Sequence, residues 1–216
     1  MTNYLGLAFI TVFDNFAELG FAQILMIPLT YALFSREISN RTYSPSAYYL
    51  ANWFSALCTY CMYPVITCLL TWYFIELKDN SFTNLMCYIG ANALIALCGL
   101  NFGILVSTFC DNPVVAIIVE VAFMFLFGMG GGQIVNIGGE DPAGFYWFNQ
   151  TLMYLSPLRY GAELILRCFL KNFQGSEQIL NALHYNFGNT KCVIALLGYS
   201  VLYLALGWLV IARRSK

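Results

Sequence analysis

Apolar positions fall into long runs separated by short polar gaps. A first run over 4–13 stops at Asp14 and Asn15. Further runs cover 16–34, 47–75, 82–109, 114–132 and 192–212, and the 82–109 run carries no charge. About 20 predominantly apolar residues are needed to cross a hydrocarbon core of about 30 Å. The last five runs therefore predict five complete transmembrane helices. A helix over 2–13 reaches only about 18 Å. It is expected to be a partial first span (1–13), part of a larger protein or a subunit completed by another chain. It lacks the basic start and cleavage site of a signal peptide.

The stretch over 133–191 is different. It holds Gly138-Gly139 and Asp141-Pro142, then the aromatic run Phe145-Tyr146-Trp147-Phe148 and a semi-apolar helix expected near 157–170. Mixed aromatics and charges of this kind mark interfacial or re-entrant structure. The remainder, 171–190, reads as a polar loop.

Composition narrows the class. The 216 residues are 60% hydrophobic and 10% charged, against about 25% charged in an ordinary soluble domain. Ten Lys+Arg against eleven Asp+Glu give a net charge of −1, with no basic tract for phosphates. Soluble enzymes and nucleic-acid binders are poor readings; an all-α, polytopic membrane bundle is expected. Its short loops place Arg36, Arg41, Arg213, Arg214 and Lys216 on one side and Lys78 on the other. The positive-inside rule then predicts a cytoplasmic C-terminus.

The segment from Phe34 to Ala51 is the most informative. Arg36-Glu37 follows a span, then come Tyr43-Ser44 and the helix start Ser46-Ala47-Tyr48-Tyr49-Leu50-Ala51. Together with Gly131-Gly132-Gln133 after the fifth run and Ser156-Pro157-Leu158-Arg159-Tyr160-Gly161, this order resembles the transmembrane domain of G-subfamily ABC exporters, the White and pleiotropic-drug-resistance group. The resemblance implies a pump half that pairs with a second copy or a related chain, as homo- or heterodimer, within membrane lipid. It also implies a nucleotide-binding domain using ATP and Mg. This chain has no Gly-x-x-x-x-Gly-Lys-[Ser/Thr] phosphate cradle, so it binds no cofactor of its own and is not expected to be an enzyme alone.

Carried over by position, Arg36, Glu37 and Arg41 of an expected connecting helix (35–46) would couple nucleotide-domain closure to the spans. Asp111, in the Asp111-Asn112-Pro113 turn, is a secondary contact. A solvated, topogenic face is the alternative reading for these charges. The substrate path is expected between the second and fifth spans of two paired halves: Phe21, Ala22 and Leu25 on one span and Glu120, Phe123, Met124 and Phe127 on another are its candidates, because aromatic and Met side chains suit flat apolar ligands. Ordinary packing is the alternative. Glu120, an acid within a span, could select cations, relay protons or bond a neighbouring helix. Met129, Gly131, Gly132, Arg159, Tyr160 and Gly161 are candidates for the extracellular gate and re-entrant region.

Cys58 and Cys61 form a C-x-x-C inside a span without a second pair, so no metal site is expected. A disulfide between Cys168 and Cys192 is expected if both flank an oxidising outer loop. Asn149 is a candidate glycosylation acceptor. The alternatives to an exporter are a nucleotide-independent channel or secondary transporter using Glu120, and a non-transporting scaffold subunit.

Overall fold

The computed structural model describes residues 2–40, 42–74, 81–110, 112–131, 146–171 and 176–214. These residues form ten helices: α1 (Thr2–Ile24), α2 (Met26–Ser39), α3 (Pro45–Tyr60), α4 (Met62–Phe74), α5 (Phe82–Phe109), α6 (Pro113–Gly130), α7 (Tyr146–Leu155), α8 (Pro157–Phe169), α9 (Ser176–Ala182) and α10 (Asn189–Arg214). They make five stretches long and apolar enough to cross a membrane: Leu5–Thr30 (α1 into α2), Pro45–Phe74 (α3 with α4), Phe82–Phe109, Pro113–Gly130 and Asn189–Arg213.

Two expectations about the first third of the chain are corrected. The runs over 1–13 and 16–34 are not a partial span followed by a complete one. Helix α1 passes through Asp14 and Asn15 without a break. Both polar side chains find partners inside the bundle: the Tyr63 hydroxyl donates to Asp14 Oδ2 at 3.0 Å, and Asn15 Nδ2 donates to Asn92 Oδ1 at 3.1 Å. Nor is there a separate connecting helix over 35–46. Arg36 and Glu37 form the last turns of α2, and α3 begins at Pro45. Ser44 caps that start by accepting from the Ala47 N–H at 3.3 Å, and Pro45 takes a first-turn position where no N–H is needed.

The actual interruptions fall elsewhere, at Leu25 and Cys61. Each precedes a proline by three residues. Pro28 cannot donate to the Ile24 carbonyl, and Pro64 cannot donate to that of Tyr60, which interrupts each helix there.

Helix α5 is the hub, packed against α1, α10, α8 and α4. Its uncharged sequence makes this possible, and so do two glycines four residues apart. A Cβ on Gly99 would overlap the Phe16 backbone, and one on Gly103 would overlap the Gly20 backbone. The α1 and α5 backbones thus touch, as small residues allow in membrane bundles. Around this contact, Phe102 lies against Phe16 (5.8 Å between centroids), Phe127 (5.4 Å) and Tyr203 (5.2 Å).

Helix α8 is buried from Pro157 to Leu166 although it carries Arg159 and Glu163. At 13 residues it is about 20 Å long, too short to span. Gly161 permits its approach, since a Cβ there would meet Ile95 Cδ1 at 2.6 Å. The stretch read as a polar loop over 171–190 contains α9.

Candidate functional site

Three places gather the polar and aromatic side chains singled out in the sequence. The first is the α2–α3 corner. Arg36 is exposed in the last turn of α2, where a cation complements the helix dipole. Glu37 is half-buried, and its Oε2 accepts from the Tyr43 hydroxyl at 2.5 Å. That hydrogen bond, with some burial, pushes the Tyr43 phenol up to about 12. The Tyr43 ring stacks on Tyr48 (5.9 Å, 7° between planes), and Tyr48 lies 4.4 Å from Phe34. From α10, Trp208 Nε1 donates to Ser46 Oγ at 3.0 Å. Glu37 is therefore wired through an aromatic stack into two spans. Arg41 and Asp111 lie outside the described residues.

The second place is the middle of the spans. Ala22 and Leu25 line a cavity of about 350 Å³. Its opposite wall is α3. Phe21 is exposed, and so is Phe123 on α6. Met124 and Phe127 belong to the packed core instead. Phe127 meets Phe16 edge-on at 6.0 Å, and aromatic packing of this kind holds a side chain inside the bundle. Glu120 is fully buried, and neither carboxylate oxygen has a hydrogen-bond partner among the described residues.

The third place, at the other end of the bundle, is the α8 cap. Arg159 is 1% exposed. It donates to the His184 carbonyl and lies 5.1 Å from the Tyr185 ring and 5.7 Å from that of Phe187. Glu163 accepts from Arg167 Nη2 at 2.8 Å and from the Gly188 N–H at 2.8 Å. The Tyr185 hydroxyl donates to the Gly131 carbonyl at 2.7 Å, tying the end of α6 to this loop. Tyr160 donates to the Tyr154 carbonyl at 3.0 Å. Arg159, Tyr160 and Gly161 are thus packing and bracing residues, while Met129 is exposed. Gly132 lies outside the described residues. Asn149 falls within α7.

The expected bridge between Cys168 and Cys192 is not formed; both are free thiols. Cys168 sits beside Cys87 of α5, whereas Cys192 sits beside Glu163, more than a helical turn away along α8. Among the described residues no group of His, Cys, Asp and Glu is placed to hold a metal.

Sequence reasoning passed over Gly99 and Gly103, and also Asn15, Asn92 and Asn101. The glycine spacing of four in an uncharged span was a readable signal. For the asparagines no local signal existed, because each is explained by a partner on another helix. Asn101 accepts from Trp53 Nε1 at 2.8 Å and donates to the Ser200 carbonyl at 3.1 Å.

Membrane-length helices around a glycine-lined hub, with a braced cap, define a polytopic membrane protein. The chain belongs to the ABC-2 type transporter family, whose pattern matches residues 1–170. It is similar to Protein scarlet of Drosophila melanogaster, with 21% identity over 226 residues covering 98% of this chain and 33% of that protein. The chain thus spans about a third of that relative's length. The match agrees with the resemblance drawn from the Arg36-Glu37 and Ser156–Gly161 segments. The chain is a multi-pass membrane protein and a permease part.

Proposed function

We propose that this chain is the membrane-spanning part of an ATP-driven exporter of lipophilic molecules, working as one half of a homo- or heterodimer. ATP and Mg would act in a nucleotide-binding domain, supplied in the same polypeptide or as a separate chain. The α2–α3 corner would face that domain on the cytoplasmic side, with the C-terminus. The observation that carries the reading is the Glu37–Tyr43–Tyr48–Phe34 connection, set in an ABC-2 type chain. A push on the exposed corner reaches α2 and α3 through stacked rings rather than through a loose loop. Exposed Phe21 and Phe123 would then line the path between two halves.

The test is transport of a fluorescent lipophile in inside-out vesicles holding the assembled transporter. ATP-dependent uptake is expected, and Glu37→Ala is expected to lower it about tenfold with surface abundance unchanged. Uptake that ignores ATP but follows a proton gradient, and that is lost in Glu120→Gln, would favour the secondary-transporter reading instead.

A further inference from the structure

The two proline-broken spans open onto one cavity. Leu25, the break before Pro28, lines it from one side; Tyr60, whose carbonyl Pro64 leaves without a donor, lines it from the other. Gln23 lines it too; it is 1% exposed, and its Oε1 accepts no hydrogen bond among the described residues. The great majority of buried polar atoms in folded proteins are paired, so an orphaned acceptor on a residue that lines an open cavity marks a place for a donor from outside. The other walls are the aliphatic side chains of Leu25 and Leu29 and the hydroxyl-bearing Ser55 and Thr59. Thr59 already donates to the Ser55 carbonyl at 2.8 Å, which leaves its oxygen as a further acceptor. Among the described residues no charged side chain lines the cavity, so an ionic headgroup would find no counter-charge there. The volume, about 350 Å³, falls within the range of small-molecule sites, about 300–1,000 Å³.

We propose that this cavity binds a neutral lipophile carrying one hydroxyl or N–H donor. The donor bonds Gln23 Oε1, and the apolar body lies against Leu25 and Leu29. The occupant enters laterally between the α1–α2 and α3–α4 spans, on a wall that α6 does not share. The site does not depend on the transport reading, and its test does not measure transport.

The experiment uses the full protein in lipid nanodiscs with two photoreactive probes, a diazirine-bearing hexadecanol and its methyl ether. The alcohol is expected to form adducts within 22–30 and 55–60, about fivefold above the ether, as one net hydrogen bond gives. Gln23→Leu is expected to bring the two probes level. Leu29→Trp, which fills the cavity from an exposed position and leaves Gln23 in place, is expected to reduce labelling by both. Equal labelling of the wild type by alcohol and ether, or adducts concentrated on α6, overturns the proposal. Repeating the labelling with ATP on the assembled transporter separates two sources of the same chemistry. Labelling that falls with ATP identifies the occupant as cargo, and unchanged labelling identifies a resident membrane alcohol; both support the site.

Discussion

Gly20 of α1 and Glu120 of α6 are in direct contact: a methyl group on Gly20 would collide with Glu120 Oε1. The carboxyl thus rests on bare backbone at the junction of α1, α5 and α6, where Gly99 and Gly103 bring the α5 backbone equally close. Substitutions at this junction have separable consequences.

Gly103→Ala forces a Cβ into the Gly20 backbone, which no rotamer change relieves. Separation of α1 from α5 is expected to cost about 1–3 kcal/mol, as overpacking does. A lower unfolding temperature in detergent checks it. The control is Gly90→Ala on the same helix, where a Cβ meets nothing within 4 Å. That change is expected to be neutral or to stabilise by up to about 1 kcal/mol through helix propensity.

Glu120 has no hydrogen-bond partner for either oxygen among the described residues. Glu120→Gln keeps the shape and is expected to hold stability within about 1 kcal/mol of the wild type, because no protein hydrogen bond is lost. Glu120→Lys puts a longer cation against the Gly20 backbone and is expected to cost several kcal/mol. Fluorescence-detected size exclusion after heating distinguishes the two. A Glu120→Gln protein that unfolds like Glu120→Lys would show that the carboxylate itself is required.

Glu163 is fully buried and holds Arg167 and the Gly188 N–H. Glu163→Ala strips both partners and is expected to cost about 2–4 kcal/mol, toward the lower end of the range for broken buried pairs because Arg167 retains some solvent. The loop around 184–188 should then become protease-sensitive before the spans do. Limited proteolysis read by mass spectrometry checks the order.

The Tyr43 hydroxyl donates to Glu37, and the phenol sits near 12 against an ordinary value of 10.0. A raised folded value contributes stability that is complete below about pH 10 and is lost as pH rises through about 12. Ultraviolet titration of the phenolate band is expected to show one tyrosine fewer ionising between pH 11 and 12.5 in Tyr43→Phe than in the wild type (~pH values from the same linkage). If the two curves coincide there, the Glu37 hydrogen bond does not form in the membrane-embedded protein.

Much of the architecture was legible from the order of residues. Long apolar runs of membrane length are satisfied in lipid as helices, so the spans expected over 47–75, 82–109, 114–132 and 192–212 were legible from hydropathy. Ser156-Pro157 likewise announces the start of α8. These are local effects: missing N–H groups, capping oxygens and apolar length act within a few residues.

The rest was decided only by the tertiary structure. Asp14 and Asn15 look like a loop in sequence, yet they lie inside α1 because Tyr63 and Asn92, distant along the chain, satisfy them. Cys168 and Cys192 look like a pair, yet helix packing sets one beside Cys87 and the other beside Glu163. Arg159 was expected in a gate region, yet it is buried against the Tyr185 ring and the His184 carbonyl, and Glu163 is buried with Arg167. A polar side chain reads as a boundary until its partner is known. In a bilayer that partner is supplied by another helix, at a position the local sequence does not encode.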